Sequence, residues 1–235
     1  MFKKFFEKLK IHIHNSYKVT PYTIMSLGPN CYPRTVLART HLIKRKKEGR
    51  KSYPFDLAWF HKARYITEFL GNDFENFLSE LKYSDFSSSW DNGEKINFSH
   101  EAYIGRNEKN KLIRIYNKRI ENFRNEMSKE NPILFLQILK DEKVGENCLE
   151  TYDILEKICG GRKFIYAVID LIDILPDNYS GKIKILKLSL PNDNADVFSE
   201  DFYFSEDGKI TENKIGEYLK SLIQSEWGIK TEIFL

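Results

Sequence analysis

The chain has 235 residues, a hydrophobic fraction of 41%, a charged fraction of 30% and a formal net charge of +3. A chain of this size buries a core as one large domain or two small ones, and the balance is that of an ordinary globular protein. The charge is too small to argue for nucleic acid, and no apolar run approaches the length of a membrane span.

Met1 to Lys10 reads as a short amphipathic helix, with Phe2, Phe5, Phe6 and Leu9 on one face and lysines around the rest. Docking on the domain or fraying is the preferred reading. A weak membrane-surface contact through residues 1–10 is the alternative, because so short a helix offers little area for anchoring. No secretory h-region follows Met1, so export by that route is not expected. Ile11 to His14 alternates like a short strand, but His12 and His14 lack a third ligand and imply no metal. Residues 1–19 thus read as a helix and linker, and residues 20–235 as a single domain.

Tyr22 to Met25 predicts a buried strand, Gly28-Pro29-Asn30 a turn, and Arg34 to Arg45 a helix with Val36, Leu37, His41 and Leu42 toward one side. Cys31 therefore sits where a strand ends and a helix begins. Pro33 suits the first helical turn, where a missing N–H costs nothing. Unpaired N–H groups and the helix field there favour a thiolate and hold an oxyanion. The competing reading is a small apolar side chain packed in a core. Cys148 and Cys159 complete an odd set spaced as neither a disulfide framework nor a zinc site, which points to a reducing, cytoplasmic compartment.

Lys44 to Lys51 is a basic run closing that helix. Tyr53 to Asp56 is extended, since a residue before proline is pushed toward β. His61 to Leu70 and Asp73 to Leu81 predict two short helices, Ser84 to Gly93 a loop, and Lys95 to Ser99 a strand delivering His100. Glu108 to Lys129 is the longest helical pattern. Leu112, Ile115, Tyr116, Ile120, Phe123 and Met127 form its apolar side, and Arg114, Lys118, Arg119 and Arg124 much of the other. Ile133 to Ile138, Phe164 to Ile169 and Ile183 to Leu190 predict strands. Glu146 to Cys159 and Lys214 to Gln224 predict helices, Asp193 to Asp207 an acidic loop, and Thr231 to Leu235 a last strand. This alternation predicts an α/β domain, a mainly parallel sheet with helices on both faces in three layers, with ligands at the carboxyl ends of its strands.

Ser26-Leu27-Gly28-x-Asn30-Cys31, followed by Ser52-Tyr53-Pro54-Phe55-Asp56, resembles a bacterial family of unknown function described as papain-like cysteine peptidases. The likeness runs from about Thr20 to Leu139 and is best in its first third. The family's tryptophan after the aspartate is Leu57 here, with Trp59 two residues on. The resemblance implies a cysteine hydrolase or transferase, with a His and an Arg-rich helix further along; these fall on His100 and on Arg119 and Arg124. It also raises a papain-like α+β fold as the alternative, against which the strand rhythm of the second half favours α/β.

A cysteine nucleophile needs a base, and the base an orienting group. His100 is the first choice and His61 the second, while His41 lies about 15 Å down the helix from Cys31. Asp56 reads as orienter or as the N-cap of a following helix. Gly28 and Asn30 shape the turn, and Asn30 is either an oxyanion donor or a turn former. Arg119 and Arg124 bind a substrate carboxylate or phosphate, or line a solvated face. Two functions follow: a cysteine-dependent acyl-transfer enzyme acting on a peptide or other acyl substrate, or a non-catalytic α/β module holding an anionic small molecule such as a sugar phosphate. A redox role lacks a Cys-x-x-Cys. No cofactor, metal or nucleic-acid partner is expected, and neither the substrate nor the oligomeric state is written in these residues.

Overall fold

The computed structural model describes residues 21–44, 49–93, 95–139, 147–176, 179, 181–190 and 199–229. The expected elements at 1–14 and 231–235 lie outside them. In chain order the elements are β1 (Thr23–Ser26), α1 (Tyr32–Arg39), β2 (Trp59–Phe60), α2 (Arg64–Gly71), β3 (Leu81–Ser84), β4 (Ser89–Asn92) and β5 (Ile96–Asn97). Then come α3 (Lys109–Met127), β6 (Ile133–Leu139), α4 (Cys148–Cys159), β7 (Phe164–Asp170), β8 (Lys184–Lys187), α5 (Glu200–Phe204) and α6 (Glu206–Trp227). Short 3-10 turns cover Pro54–Asp56, Ser99–Glu101 and Arg106–Glu108.

β1, β6, β7 and β8 lie side by side in that order, every neighbouring pair parallel. Thr23 is opposite Ile133, and Ile133 opposite Phe164. The chain is α/β, as the strand rhythm predicts. β6 is buried at every position, as a continuous apolar run requires. Its side chains alternate between two cores, as the period of two dictates. Ile133, Phe135 and Leu139 join Phe69 of α2, Tyr116 and Phe123 of α3 and Leu155 of α4. Leu134, Leu136 and Ile138 join Val36 and Leu37 of α1 and Ile215, Leu219 and Ile223 of α6. Each such side chain contributes about 1.5–3 kcal/mol by leaving water.

A second, antiparallel sheet in the order β2-β5-β4-β3 is a departure from expectation. Its hairpin pairs Leu81 with Asn92 and Ser84 with Ser89, and runs through Ser84 to Gly93, the stretch whose Ser, Asp and Asn content suggests a loop. Trp90 explains it. The indole is buried and its Nε1–H donates to the Ile104 carbonyl, so tertiary packing overrides local propensity. The helix expected over 73–81 is also replaced by turns, with Asp73, Phe74, Asn76 and Glu80 all at positive φ. Phe74 and Phe77 both enter the aromatic core, 5.5 Å from Phe55 and 4.9 Å from Phe69 respectively. Asn92 Nδ2 donates to the carbonyls of Asn76 and Phe77, which a helix would have bonded internally.

Helix α1 is shorter than its pattern. It ends at Thr40, His41 turns left-handed at φ 58°, and the N–H groups of Leu42 and Ile43 both donate back to the Leu37 carbonyl. That reversal buries Leu42 and Ile43 against α6's core. At the other end of the chain α6 begins at Glu206, inside the expected acidic loop, with the Ser205 hydroxyl accepting from the Gly208 N–H as its N-cap. At 22 residues it exceeds the 19 of α3, the longest pattern read from sequence.

Candidate functional site

The turn after β1 is built on Gly28, whose φ of +58° suits a residue without a Cβ. A Cβ there would come 3.1 Å from Ile66 Cδ1. The Gly28–Pro29 peptide is cis, and the Pro29 carbonyl accepts from the Phe60 N–H at 2.7 Å. Asn30 Oδ1 accepts from the Tyr32 N–H at 2.9 Å, so its side chain forms the turn. Cys31 is the N-cap residue of α1, half-buried, with no side-chain cap.

Burial pushes the Cys31 thiol up, while its own backbone N–H, the Arg34 charge and the Thr35 hydroxyl pull it back. The thiol, not the thiolate, is therefore the resting form near neutral pH, contrary to what the helix start alone suggests. Desolvation is the stronger effect here. Cys148 and Cys159 are more deeply buried and are pushed up to about 11.

Asp56 is fully buried at the end of its 3-10 turn. Its Oδ1 accepts from the Ser26 hydroxyl at 2.7 Å and from Arg50 Nη2 at 3.2 Å. Its Oδ2 accepts from the Tyr53 N–H at 2.9 Å and from Arg50 at 3.3 Å. Arg34 Nε lies 3.9 Å from the same oxygen. Asp56 is thus not the N-cap of the next helix, which starts at Arg64 after Ala63. The structure brings it to two arginines and a serine, and among the described residues no histidine bonds it. Arg50 also walls a cavity with Tyr22, Ile24, Tyr53 and Glu126, at the end of β1 away from Cys31.

His100 lies in the 3-10 turn after β5, on the exposed side, with Glu101 directed inward and buried. The Glu101 N–H donates to the Phe98 carbonyl, and the Phe98 ring packs 4.6 Å from that of Tyr116. Glu101 Oε1 accepts from Arg119 Nη2 at 2.6 Å and Oε2 from the Tyr116 hydroxyl at 3.0 Å. The Arg119 guanidinium stacks 4.3 Å from the centre of the Tyr116 ring. Burial lowers the His100 pKa; Glu101 opposes that, and Arg34 and Arg119 add to it. Among the described residues no histidine hydrogen-bonds Cys31. What His100 and Cys31 share is Arg34, whose charge acts on both.

Arg119 is buried, a correction to its expected place on the solvated face. Leu112, Tyr116, Arg119 and Phe123 follow a four-three-four spacing down one side of α3, and that spacing is the signal that finds it. Arg124 is the opposite case. It is exposed and bound to Asp73, by Nε to Oδ1 at 3.1 Å and Nη2 to the carbonyl at 2.9 Å, and takes no part in this cluster. His61 is exposed. Arg34, Arg50 and Tyr116 are the members whose roles the sequence reading leaves out.

Among the described residues no three His, Cys, Asp or Glu side chains gather to hold a metal, and no helix is long and apolar enough to cross a membrane. Comparison with protein-family profiles, curated proteins and solved structures finds no match to the chain.

Proposed function

We propose that this chain is a cysteine-dependent acyl-transfer enzyme of the papain-like type that its Gly28-x-Asn30-Cys31 and Pro54-Phe55-Asp56 pair resembles. Its parallel sheet lies between two helical layers, a reading supported by the two apolar cores, and the reactive sulfur sits at the strand-to-helix turn. The observation that carries the proposal is the placement of Cys31. It is a half-buried thiol beyond the carboxyl end of β1, with its own N–H and the Arg34 charge acting on the sulfur. Ligands of open parallel sheets bind at such ends.

The thiol is held neutral by burial and His100 is held neutral by its lowered pKa, so the resting pair carries no charge. As the sulfur attacks the acyl carbon, His100 takes the thiol proton and returns it to the leaving group when the carbon–leaving-group bond breaks. Water or a second acceptor then releases the acyl group. The Cys31 N–H stabilises the oxyanion. Contact between His100 and the sulfur forms with substrate in place, as catalytic hydrogen bonds often do. Asp56 holds Arg34 and joins the two motifs, and Glu101 is the carboxylate beside His100.

The raised thiol favours a second reading, a non-catalytic module for an anionic small molecule, with Cys31 structural. An acylating activity probe, with the modified residue mapped by mass spectrometry, separates the two. The enzyme reading expects labelling at Cys31 alone, and turnover lowered about 100-fold or more in His100→Ala. Absence of Cys31 acylation in the folded protein defeats it.

A further inference from the structure

We infer that Arg34 and Arg119 form an oxyanion subsite beside Cys31 that takes a carboxylate or phosphate group of the ligand. Calling that ligand a substrate rests on the acyl-transfer reading; the subsite itself does not.

The inference follows from which lone pairs are already used. Both Asp56 oxygens are occupied by Ser26, the Tyr53 N–H and Arg50. Arg34 Nε, at 3.9 Å, is near enough to feel that charge and too far for a hydrogen bond. Both Glu101 oxygens are occupied by Arg119 Nη2 and Tyr116. Two guanidinium atoms are left over, Arg34 Nε and Arg119 Nη1. Each is enclosed, and neither has a hydrogen-bond partner among the described residues. Arg119 as a whole is only 7% exposed. Guanidinium groups do not deprotonate, so burial cannot silence them.

The charges lead the same way. Arg34, Arg50 and Arg119 face two carboxylates, Asp56 and Glu101, and the charges of Arg50 and Arg119 both act on Arg34. Among these five groups the cations outnumber the carboxylates by one. His100 adds a further donor at the rim. An oxyanion answers both deficits at once, accepting from the two free N–H groups and neutralising the surplus. Arg34 is also one turn along α1 from Cys31, and its charge acts on that sulfur. The anionic group is thereby held within reach of the reactive atom.

The test uses the full chain with inorganic phosphate in one arm, succinate in another, and sodium chloride at matched ionic strength as reference. Melting temperature and the rate of Cys31 alkylation by iodoacetamide are followed against anion concentration. We expect a saturable rise in Tm and a saturable slowing of alkylation with at least one anion, and the arm that responds names the group. Arg34→Gln should weaken the anion roughly tenfold or more, the worth of a hydrogen bond to a charged group. It should still fold, because Ser26, Tyr53 and Arg50 continue to hold Asp56. Arg124→Gln, on the surface, should respond as the wild type does. The subsite is overturned if neither anion exceeds chloride, or if Arg34→Gln responds as the wild type does. Anion binding without acylation of Cys31 keeps the subsite and removes the enzyme reading. Acylation without anion binding does the reverse.

Discussion

The Ser26 hydroxyl donates a 2.7 Å hydrogen bond to Asp56 Oδ1, thirty residues away, and both side chains are fully buried. Ser26 opens the stretch that ends in Cys31, and Asp56 closes the Pro-Phe-Asp turn. The pair of motifs is therefore one structural unit, with the carboxylate at its centre and Arg34 and Arg50 gathered on it.

Substitution of that carboxylate should be costly. In Asp56→Asn an amide N–H₂ replaces one acceptor and faces a serine hydroxyl, a backbone N–H or Arg50, all of them donors. We expect a loss of about 3–5 kcal/mol, the range for breaking a buried ion pair. A simple cap would change by a few tenths. Ser26→Ala should lose about 1–3 kcal/mol. Urea unfolding of both variants and their double mutant reads the coupling, and additive losses would show that the bond contributes little.

Glu101 ties His100 to Arg119. Glu101→Gln leaves a buried guanidinium without its counter-charge, and about 3–5 kcal/mol of stability should go with it. The same change should lower the His100 pKa further, because Glu101 is the group that raises it. The folded-state value already lies below that of the unfolded chain, about 6.5. Below that pH the unfolded chain binds more protons, so His100's contribution is intact above it and fades as pH falls toward the folded value. An NMR titration of the imidazole that finds an unmoved or raised midpoint in Glu101→Gln would refute the assignment.

Cys31 should alkylate at least tenfold faster than Cys148 or Cys159 at pH 8. A thiol of pKa about 11 is only about one part in a thousand ionised there, and both of those thiols are buried as well. The Cys31 rate should climb through an alkaline midpoint above the ordinary thiol value, because burial outweighs the charge of Arg34. Removing that charge in Arg34→Gln should move the midpoint higher. Peptide mapping after timed alkylation gives all three rates, and equal rates in the folded protein would contradict the placement of Cys31.

Gly28→Ala should destabilise by about 1–2 kcal/mol through its left-handed backbone alone. Contact of the new Cβ with Ile66 Cδ1 adds to that. Because Gly28 sets the turn that delivers Cys31, acyl-probe labelling should fall more than the melting temperature does. A loss of labelling that merely tracks unfolding would make the glycine structural only.

The parallel sheet was legible in the sequence because its evidence is local. Ile133 to Ile138 and Phe164 to Ile169 are apolar at almost every position, and such runs between helical stretches leave few arrangements open. Cys31 at a helix start was legible for the same reason, since Gly28, Asn30 and Pro33 carry backbone preferences of their own. The hairpin around Trp90 and the turns holding Phe74 and Phe77 were not, because their partners are far along the chain and burial of three aromatic rings outweighs the propensities of the polar residues beside them. The thiol's raised pKa was not legible either. A helix start argues for thiolate from position alone, but desolvation depends on everything that folds over the sulfur. Arg119 lies between the two cases. Its spacing with Tyr116 and Phe123 fits the buried stripe, but its charge reads as a solvated face, and only the fold supplied Glu101 to hold it inside, a carboxylate brought in by a turn on another element.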